Sequence, residues 1–219
     1  CTLKFFEDAK TSDQTAYRQC VKSDATKYFV KENVPAGSTT TTEEYTHYYA
    51  DGCPTSTYLK GATEKECLNT CDSGFYTVDA NNENKVCGAV CGANQFAEIA
   101  GTDGMKECVD DCDVAFFEDA KTGDEAAYRQ CVAESNTKYF VKENVQAGSA
   151  TKEYTHYYPA CPEGYYFHDK DAYECKAACD NKPYEPVSET ENVCVEKCEG
   201  DNYGFNDNGV CKATCASKF

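Results

Sequence analysis

The chain has few of the side chains that build an ordinary protein core. It contains no tryptophan, one methionine, three leucines and one isoleucine, and Leu, Ile, Val and Phe together supply only 30 of its 219 residues. This scarcity accompanies a net charge of −17, a combination typical of chains that cannot fold around a hydrophobic core. A cytosolic enzyme with a deep buried pocket is therefore not expected.

Long apolar runs and an excess of positive charge are also missing. No stretch approaches the roughly 18 apolar residues needed to cross a bilayer, so no membrane-spanning segment is expected in this window. Acidic residues outnumber basic residues by 38 to 21, and their negative field repels phosphate. The composition therefore argues against a nucleic-acid partner.

Cysteine is the residue that the chain has in excess. Its 17 cysteines approach the density of small scaffolds in which disulfides replace a missing core. Disulfides persist in oxidising compartments, so we expect a secreted protein, extracellular or at the cell surface. We expect it not to be an enzyme, because no phosphate-binding loop or hydrolase motif accompanies its three histidines, and a thiolate nucleophile needs a free cysteine.

The chain contains an internal duplication. Residues 1–34 and 112–145 are identical at 24 of 34 aligned positions, and EYTHYY recurs from Glu44 and from Glu153. Beyond these segments the cysteine spacing carries the correspondence, which is the signature of a repeat architecture. The predicted domains are cysteine-rich repeat 1 over 1–111 with a long hairpin over 21–52, repeat 2 over 112–214 with a long hairpin over 132–160, and the start of a third repeat over 215–219.

The odd cysteine has a simple explanation in this scheme. Each predicted repeat holds eight cysteines, which leaves Cys215 as the first cysteine of a third repeat. We expect Cys215 to be unpaired by truncation of the sequence. The alternative is a reactive free thiol.

The cysteine spacing predicts a string of small closed loops. Most cysteines occur as Cys-x3-Cys, followed within a few residues by an aromatic residue and then by Asn, Asp or Gly, which favour tight turns. Many pairings are possible, and we expect neighbours to pair: Cys1–Cys20, Cys53–Cys67, Cys71–Cys87, Cys91–Cys108, Cys112–Cys131, Cys161–Cys175, Cys179–Cys194 and Cys198–Cys211. The expected fold is small, disulfide-rich and mainly β: a tandem repeat of short disulfide-closed hairpin loops in an elongated rod, with one longer β-hairpin insertion per repeat.

The longer insertion is the best candidate for an interaction site. It contains TKYFVKENV, a turn and EYTHYY, and its β-branched and aromatic flanks predict two antiparallel strands. Because side chains alternate between the faces of a strand, a candidate contact surface consists of Tyr45, His47, Tyr49, Tyr154, His156 and Tyr158. Its expected partners are neighbouring repeats, copies of the same chain or glycans. The alternative is that the hairpin shields the small core of its own repeat.

No metal centre is predicted, because zinc needs free thiolates and a disulfide-bonded chain lacks them. The one cofactor candidate is weakly bound Ca²⁺ at acidic turns, although the twelve-residue loop with its closing Glu is absent. These turns contain Asp79, Asn81 and Glu83, and Asn206, Asp207 and Asn208. The alternative is ordinary turn residues on an acidic surface.

A run of hydroxyl side chains beside Pro35 is a candidate O-glycosylation stretch. The chain has no Asn-x-Ser/Thr sequon for N-glycosylation. The hydroxyl run consists of Ser38, Thr39, Thr40, Thr41 and Thr42. The alternative is a polar hairpin turn.

Three features of the chain point to a known family. They are the Cys-x3-Cys rhythm, the segment CPEGYY from Cys161 to Tyr166, and the segment CVEKC from Cys194 to Cys198. In these features the chain resembles the growth-factor-receptor or furin-like cysteine-rich repeats, and most closely those of surface-coat proteins of protists. The resemblance covers roughly the second half of each repeat. It implies extracellular rods, coats and adhesion, and no catalytic residues.

The duplication, the cysteine content and the missing catalytic motifs lead to one expected function. We expect an extracellular structural protein, a building block of a surface coat, matrix or filament. The alternative is an adhesin or receptor-type ectodomain that binds glycan or protein through the YFVKENV/EYTHYY hairpin.

Overall fold

The computed structural model describes residues 1–10, 16–35, 41–80, 83–121, 126–167, 173–179, 184–186 and 192–194. In these residues every element of regular secondary structure is a β-strand. The strands are β1 Phe5–Lys10, β2 Ala16–Cys20, β3 Tyr28–Pro35, β4 Thr42–Tyr49, β5 Tyr58–Leu59, β6 Cys67–Leu68, β7 Phe75–Val78, β8 Lys85–Cys87, β9 Phe96–Ile99, β10 Lys106–Val109, β11 Phe116–Ala120, β12 Tyr128–Cys131, β13 Tyr139–Ala147, β14 Ala150–Tyr158, β15 Tyr166–Phe167, β16 Cys175–Lys176, β17 Tyr184–Pro186 and β18 Asn192–Cys194. The same residues contain no helix that is long and apolar enough to span a membrane.

The predicted class, small, disulfide-rich and mainly β, is confirmed. Seven disulfides are present in the described part of the chain, and each joins the neighbouring cysteines expected from the spacing. They are Cys1–Cys20, Cys53–Cys67, Cys71–Cys87, Cys91–Cys108, Cys112–Cys131, Cys161–Cys175 and Cys179–Cys194. Cys198, Cys211 and Cys215 lie outside the described residues.

The chain divides into two compact units. Unit 1 consists of Cys1–Gly92 and Ala97–Val109, and unit 2 consists of Ala93–Phe96 and Asp110–Phe219. The boundary between the two units near residue 110 lies close to the start predicted for repeat 2. The four residues Ala93–Phe96 belong to unit 2 although they precede this boundary in the sequence. The predicted third repeat, 215–219, lies outside the described residues.

The long hairpin of unit 1 is part of a four-stranded sheet with the order β2-β1-β4-β3. Strands β3 and β4 are antiparallel, with Val30 opposite His47. Strand β1 runs parallel to β4 and places Phe6 opposite His47 from the other side. The disulfide Cys1–Cys20 closes the antiparallel pair β1–β2. The hairpin insertion therefore receives a strand from the start of its own unit.

The remainder of unit 1 is built from short strands with the order β9-β10-β7-β8-β5-β6, except that Phe96, the first residue of β9, belongs to unit 2. The antiparallel pair β7–β8 is a small hairpin whose ends are joined by Cys71–Cys87. Cys71 packs in a buried cluster with Tyr58, Tyr76 and Met105, and the two tyrosine rings lie 5.0 Å apart. Aromatic rings packed on a disulfide thus take the place of an aliphatic core.

In unit 2 the second copy of the duplicated segment has the same strand pairing. The order is β13-β14-β11-β12, with Val141 opposite His156 across the hairpin and Phe117 opposite His156 in the parallel pair. The hairpin turns at Gly148, whose φ is +54° and whose added Cβ would lie 2.7 Å from the Cβ of Asp110, so only glycine fits there. Unit 2 also contains the sheet β16-β15-β18-β17.

Candidate interaction site

Each long hairpin contains a buried histidine packed between an aromatic ring and acidic side chains. In unit 1 the ring of His47 stacks on Phe6 with centroids 4.4 Å apart. Its Nδ1 lies 2.8 Å from the hydroxyl of Tyr49 and 2.8 Å from Glu32 Oε1, while its Nε2 lies 3.4 Å from Asp8 Oδ2. We call these five residues the His47 cluster.

Unit 2 contains the same arrangement, here called the His156 cluster. The ring of His156 stacks on Phe117 with centroids 4.1 Å apart. Its Nδ1 lies 2.6 Å from Glu143 Oε1 and 2.7 Å from the hydroxyl of Tyr158, and its Nε2 lies 3.5 Å from Asp119 Oδ2. Both nitrogens of the ring thus lie close to a carboxylate. From β14, the histidine contacts Glu143 on β13 and Phe117 and Asp119 on β11.

The predicted contact surface is only partly exposed in the described structure. His47, His156 and Tyr154 are buried against residues of their own units, whereas Tyr45, Tyr49 and Tyr158 are half-buried. The burial of these three side chains fits the alternative to a contact surface, in which the hairpin shields the core beneath it. A contact role for the three half-buried tyrosines stays a prediction.

The residues that cover the histidines were not singled out in the sequence. Phe6 and Asp8, like Phe117 and Asp119, come from the motif FFEDAK, which occurs once in each unit. Glu32 and Glu143 come from YFVKENV, which is also identical in both. The exact recurrence of FFEDAK is the sequence signal that could have drawn attention to them. The parallel pairing that places this motif beside the histidine is seen only in the structure.

Unit 2 contains a further aromatic contact on the same side of the hairpin. The ring of Phe96 is fully buried and stacks on Tyr154 with centroids 4.8 Å apart and an interplanar angle of 22°. It meets the ring of Phe117 edge to face at 5.5 Å, and the guanidinium of Arg129 lies 5.6 Å from its centroid. We call Phe117, Arg129 and Tyr154 the Phe96 seat.

Hydrogen bonds hold both the seat and the segment that fills it. Tyr154 donates a hydrogen bond to Asp111 and accepts one from the backbone N–H of Cys112 at 3.2 Å. The backbone N–H of Gly148 donates to the carbonyl of Asn94 at 2.7 Å. Ala93–Phe96 is therefore fixed on unit 2 by its backbone as well as by its aromatic ring.

Burial raises the pKa of several tyrosines in these clusters. The pKa of Tyr154 rises to about 12 because of burial and its hydrogen bond to Asp111. The pKa of Tyr158 also rises to about 12, because it is buried beside Glu143 and Asp119. In unit 1, burial and a 2.5 Å hydrogen bond to Asp103 raise the pKa of Tyr58 to about 12.

These shifts predict a two-stage alkaline titration. A tyrosine whose pKa is higher in the folded than in the unfolded protein contributes its full stabilisation at pH values below 10, near the ordinary pKa of the side chain. That contribution is lost as the pH rises through 12. We expect the absorbance of tyrosinate at 295 nm to rise in two steps, the later one coinciding with loss of the β-sheet signal in circular dichroism. A single step near pH 10 with the fold retained would contradict this assignment.

The remaining candidate sites are only partly within the described residues. Asp79 and Glu83 flank a hairpin turn in which the N–H of Glu83 donates to the carbonyl of Asp79 at 2.8 Å, whereas Asn81, Asn206, Asp207 and Asn208 lie outside. No group of three or more His, Cys, Asp or Glu side chains that could hold a metal is found among the described residues. Of the hydroxyl run, Thr41 and Thr42 are exposed, and Ser38, Thr39 and Thr40 lie outside the described residues.

Comparisons with known proteins returned no relative. The chain matches no protein-family model. Neither a curated protein nor a solved structure is significantly similar to it.

Proposed function

We propose that this chain is a non-enzymatic extracellular structural protein, a building block of a surface coat, matrix or filament. In this proposal it belongs with the furin-like cysteine-rich repeats, and its tandem repeats form an elongated rod. The observation that carries the proposal is the series of disulfides between neighbouring cysteines, seven of them within the described residues, each with a sequence separation of 14 to 19. Such a chain stays folded where no reductant is present, without needing a large core.

The packing of the small modules supports this role. Most of their buried residues are tyrosine, phenylalanine and cystine, as in the cluster of Tyr58, Cys71 and Tyr76 with Met105. Rings packed on short closed loops give each module its own local core, and a repeat protein of that kind gains stability from contacts between neighbouring modules. The proposed partners are therefore neighbouring repeats and other copies of the chain, with no cofactor.

Negative-stain electron microscopy of native material, purified without reductant, tests the proposal. We expect long fibres or sheets with a regular axial repeat. The matched control is the same material after reduction and alkylation, which should lose the ordered assemblies. Short separate particles in the oxidised sample would argue against a structural role.

An adhesin is the second candidate, and the half-buried tyrosines of the hairpins favour it. Tyr49 and Tyr158 each pack against a buried histidine at 4.3 and 4.0 Å between centroids, which holds their rings rigidly, and rigid half-exposed rings suit stacking on sugars. A glycan array probed with the oxidised protein tests this candidate. Binding that falls at least tenfold in Tyr49→Ala and Tyr158→Ala would support it, and an array without binding would count against it.

A further inference from the structure

Two tyrosine rings of unit 2 are in contact although they are distant in the sequence. The centroids of Tyr139, at the start of β13, and Tyr173, just before β16, lie 5.5 Å apart with an interplanar angle of 59°. Both side chains are half-buried, so solvent reaches part of each. The backbone N–H of Phe140 donates to the carbonyl of Tyr173 at 2.9 Å, and Phe140 forms a parallel bridge with Glu174. The spacing of the two rings is therefore fixed by the backbone on either side.

Unit 1 has the same backbone arrangement with a different side chain. There the N–H of Phe29 donates to the carbonyl of Lys65 at 2.8 Å, and the ammonium of Lys65 lies 3.9 Å from the ring centroid of Tyr28. Tyr28 is the counterpart of Tyr139 in the motif YFVKENV. Lys65 is the counterpart of Tyr173, since each lies two residues before a cysteine that forms a disulfide. A cation–π contact in unit 1 is thus replaced by a pair of phenols in unit 2.

The backbone of Tyr173 is unusual as well. Its φ is +53°, in the left-handed region that bulky side chains rarely adopt. Its counterpart Lys65 does not have a positive φ. Residues held in such conformations cluster at functional sites, so the ring of Tyr173 is a candidate for a chemical role.

The composition makes tyrosine the main target of one-electron oxidants in this chain. The chain has 17 tyrosines and no tryptophan, and its single methionine, Met105, is only 5% exposed. All cysteines within the described residues are bonded in disulfides, so in that part of the chain no thiolate is left to be oxidised first. An oxidant therefore acts on the accessible phenols.

We propose that Tyr139 and Tyr173 form an oxidative crosslinking site, at which hydrogen peroxide and a peroxidase join the two rings in a dityrosine bond. Each phenol loses one electron and its hydroxyl proton, and the two radicals form a carbon–carbon bond between ring positions next to the hydroxyls. The hydrogens on those two carbons then transfer as protons to the oxygens, which restores both phenols. The peroxide takes up the two electrons and the two protons and becomes two molecules of water. Rings that are already held in contact couple without a diffusive search.

The bond joins strand β13 of the long hairpin to the loop that the disulfide Cys161–Cys175 closes. Unlike that disulfide, a carbon–carbon bond is not broken by reductants. The inference goes beyond the proposed function, because it depends on two side chains of unit 2 and applies to a coat protein and to an adhesin alike.

A tyrosine pair in unit 1 shows that ring contact alone is not sufficient. The rings of Tyr58 and Tyr76 have centroids 5.0 Å apart, but the two residues are only 1% and 2% exposed. Their hydroxyls donate hydrogen bonds to Asp103 and Glu107. Because a peroxidase needs access to the phenol that it oxidises, we expect no crosslink between these two rings.

Treatment of the dilute, disulfide-bonded full chain with a peroxidase and hydrogen peroxide tests the proposal. The monomer is then isolated, reduced, alkylated and digested with trypsin, and joined peptides are identified by mass spectrometry. We expect the peptide YFVK, which starts at Tyr139, to be joined to DAYECK, which contains Tyr173. The product should be two hydrogen atoms lighter than the sum of the two peptides.

Matched variants identify the rings that react. Tyr139→Phe and Tyr173→Phe keep the ring contact without the phenol, and each should lower the yield of this product at least about tenfold. Because YFVK occurs in both units, Tyr28→Phe is the control and should leave the yield unchanged. Lys65→Tyr should create a crosslink between residue 65 and Tyr28 that the wild type lacks.

Circular dichroism and the count of free thiols check that each variant is folded and disulfide-bonded. Absence of the product, equal yields in Tyr139→Phe and Tyr28→Phe, or a preferential crosslink between Tyr58 and Tyr76 would overturn the proposal. None of these results bears on the structural role, which electron microscopy of native material tests separately.

Discussion

Replacing Phe96 with alanine is expected to lower the free energy of unfolding by about 3–5 kcal/mol. The ring is fully buried and contacts Tyr154 and Phe117 at 4.8 and 5.5 Å between centroids. Its removal loses the transfer free energy of a phenyl group and leaves a cavity among rings that are held by their own strands. Equilibrium unfolding in urea with the disulfides intact measures the loss.

Ile99 provides the matched control for this prediction. It lies in the same strand, β9, but is 56% exposed, so Ile99→Ala should change stability by less than about 0.5 kcal/mol. Phe96→Leu should lie between the two, because it fills part of the cavity. Equal losses for Phe96→Ala and Ile99→Ala would show that Phe96 is not the anchor of its segment.

Replacing both Cys71 and Cys87 with serine is expected to cost about 3 kcal/mol through loop-closure entropy alone. The disulfide closes a loop with a sequence separation of 16. A further loss should come from packing, because Cys71 is buried with Tyr58 and Tyr76 in the cluster that Cys87 also touches. Thermal unfolding followed by circular dichroism, with mass spectrometry of the remaining disulfides, measures the total.

The disulfide Cys1–Cys20 separates the two contributions. Its loop is similar, with a sequence separation of 19, but both cysteines are exposed. The double serine variant there should lose the entropic part without the packing part. A larger loss at Cys1–Cys20 than at Cys71–Cys87 would contradict the view that disulfides and aromatic rings form the local core.

The single variant Cys71→Ser should be worse than the double variant. It leaves Cys87 as an unpaired thiol that can form wrong disulfides during oxidative folding. Cys179→Ser should behave alike in unit 2, where Cys179 and Cys194 are both buried. Wild-type stability after the loss of either cysteine would contradict the disulfide scaffold.

The sequence by itself determined the local organisation of this protein. The Cys-x3-Cys spacing favoured pairing between neighbours, which the seven disulfides of the described residues have, because short loops with turn residues bring neighbouring cysteines together at low entropic cost. The alternation of aromatic and β-branched residues identified the long hairpins, since period two is a property of the strand itself. Both signals lie within a few tens of residues, and no distant partner is needed to interpret them.

Only the tertiary structure decided which faces of those hairpins are buried. His47 is covered by Phe6, some forty positions earlier in the chain, through a parallel pairing that hairpin periodicity does not encode. Tyr17 and Tyr128 occupy identical positions in identical motifs, yet their exposed fractions are 47% and 7%. The difference arises from neighbouring segments and not from the motif, because the burial of a side chain depends on everything packed around it in space.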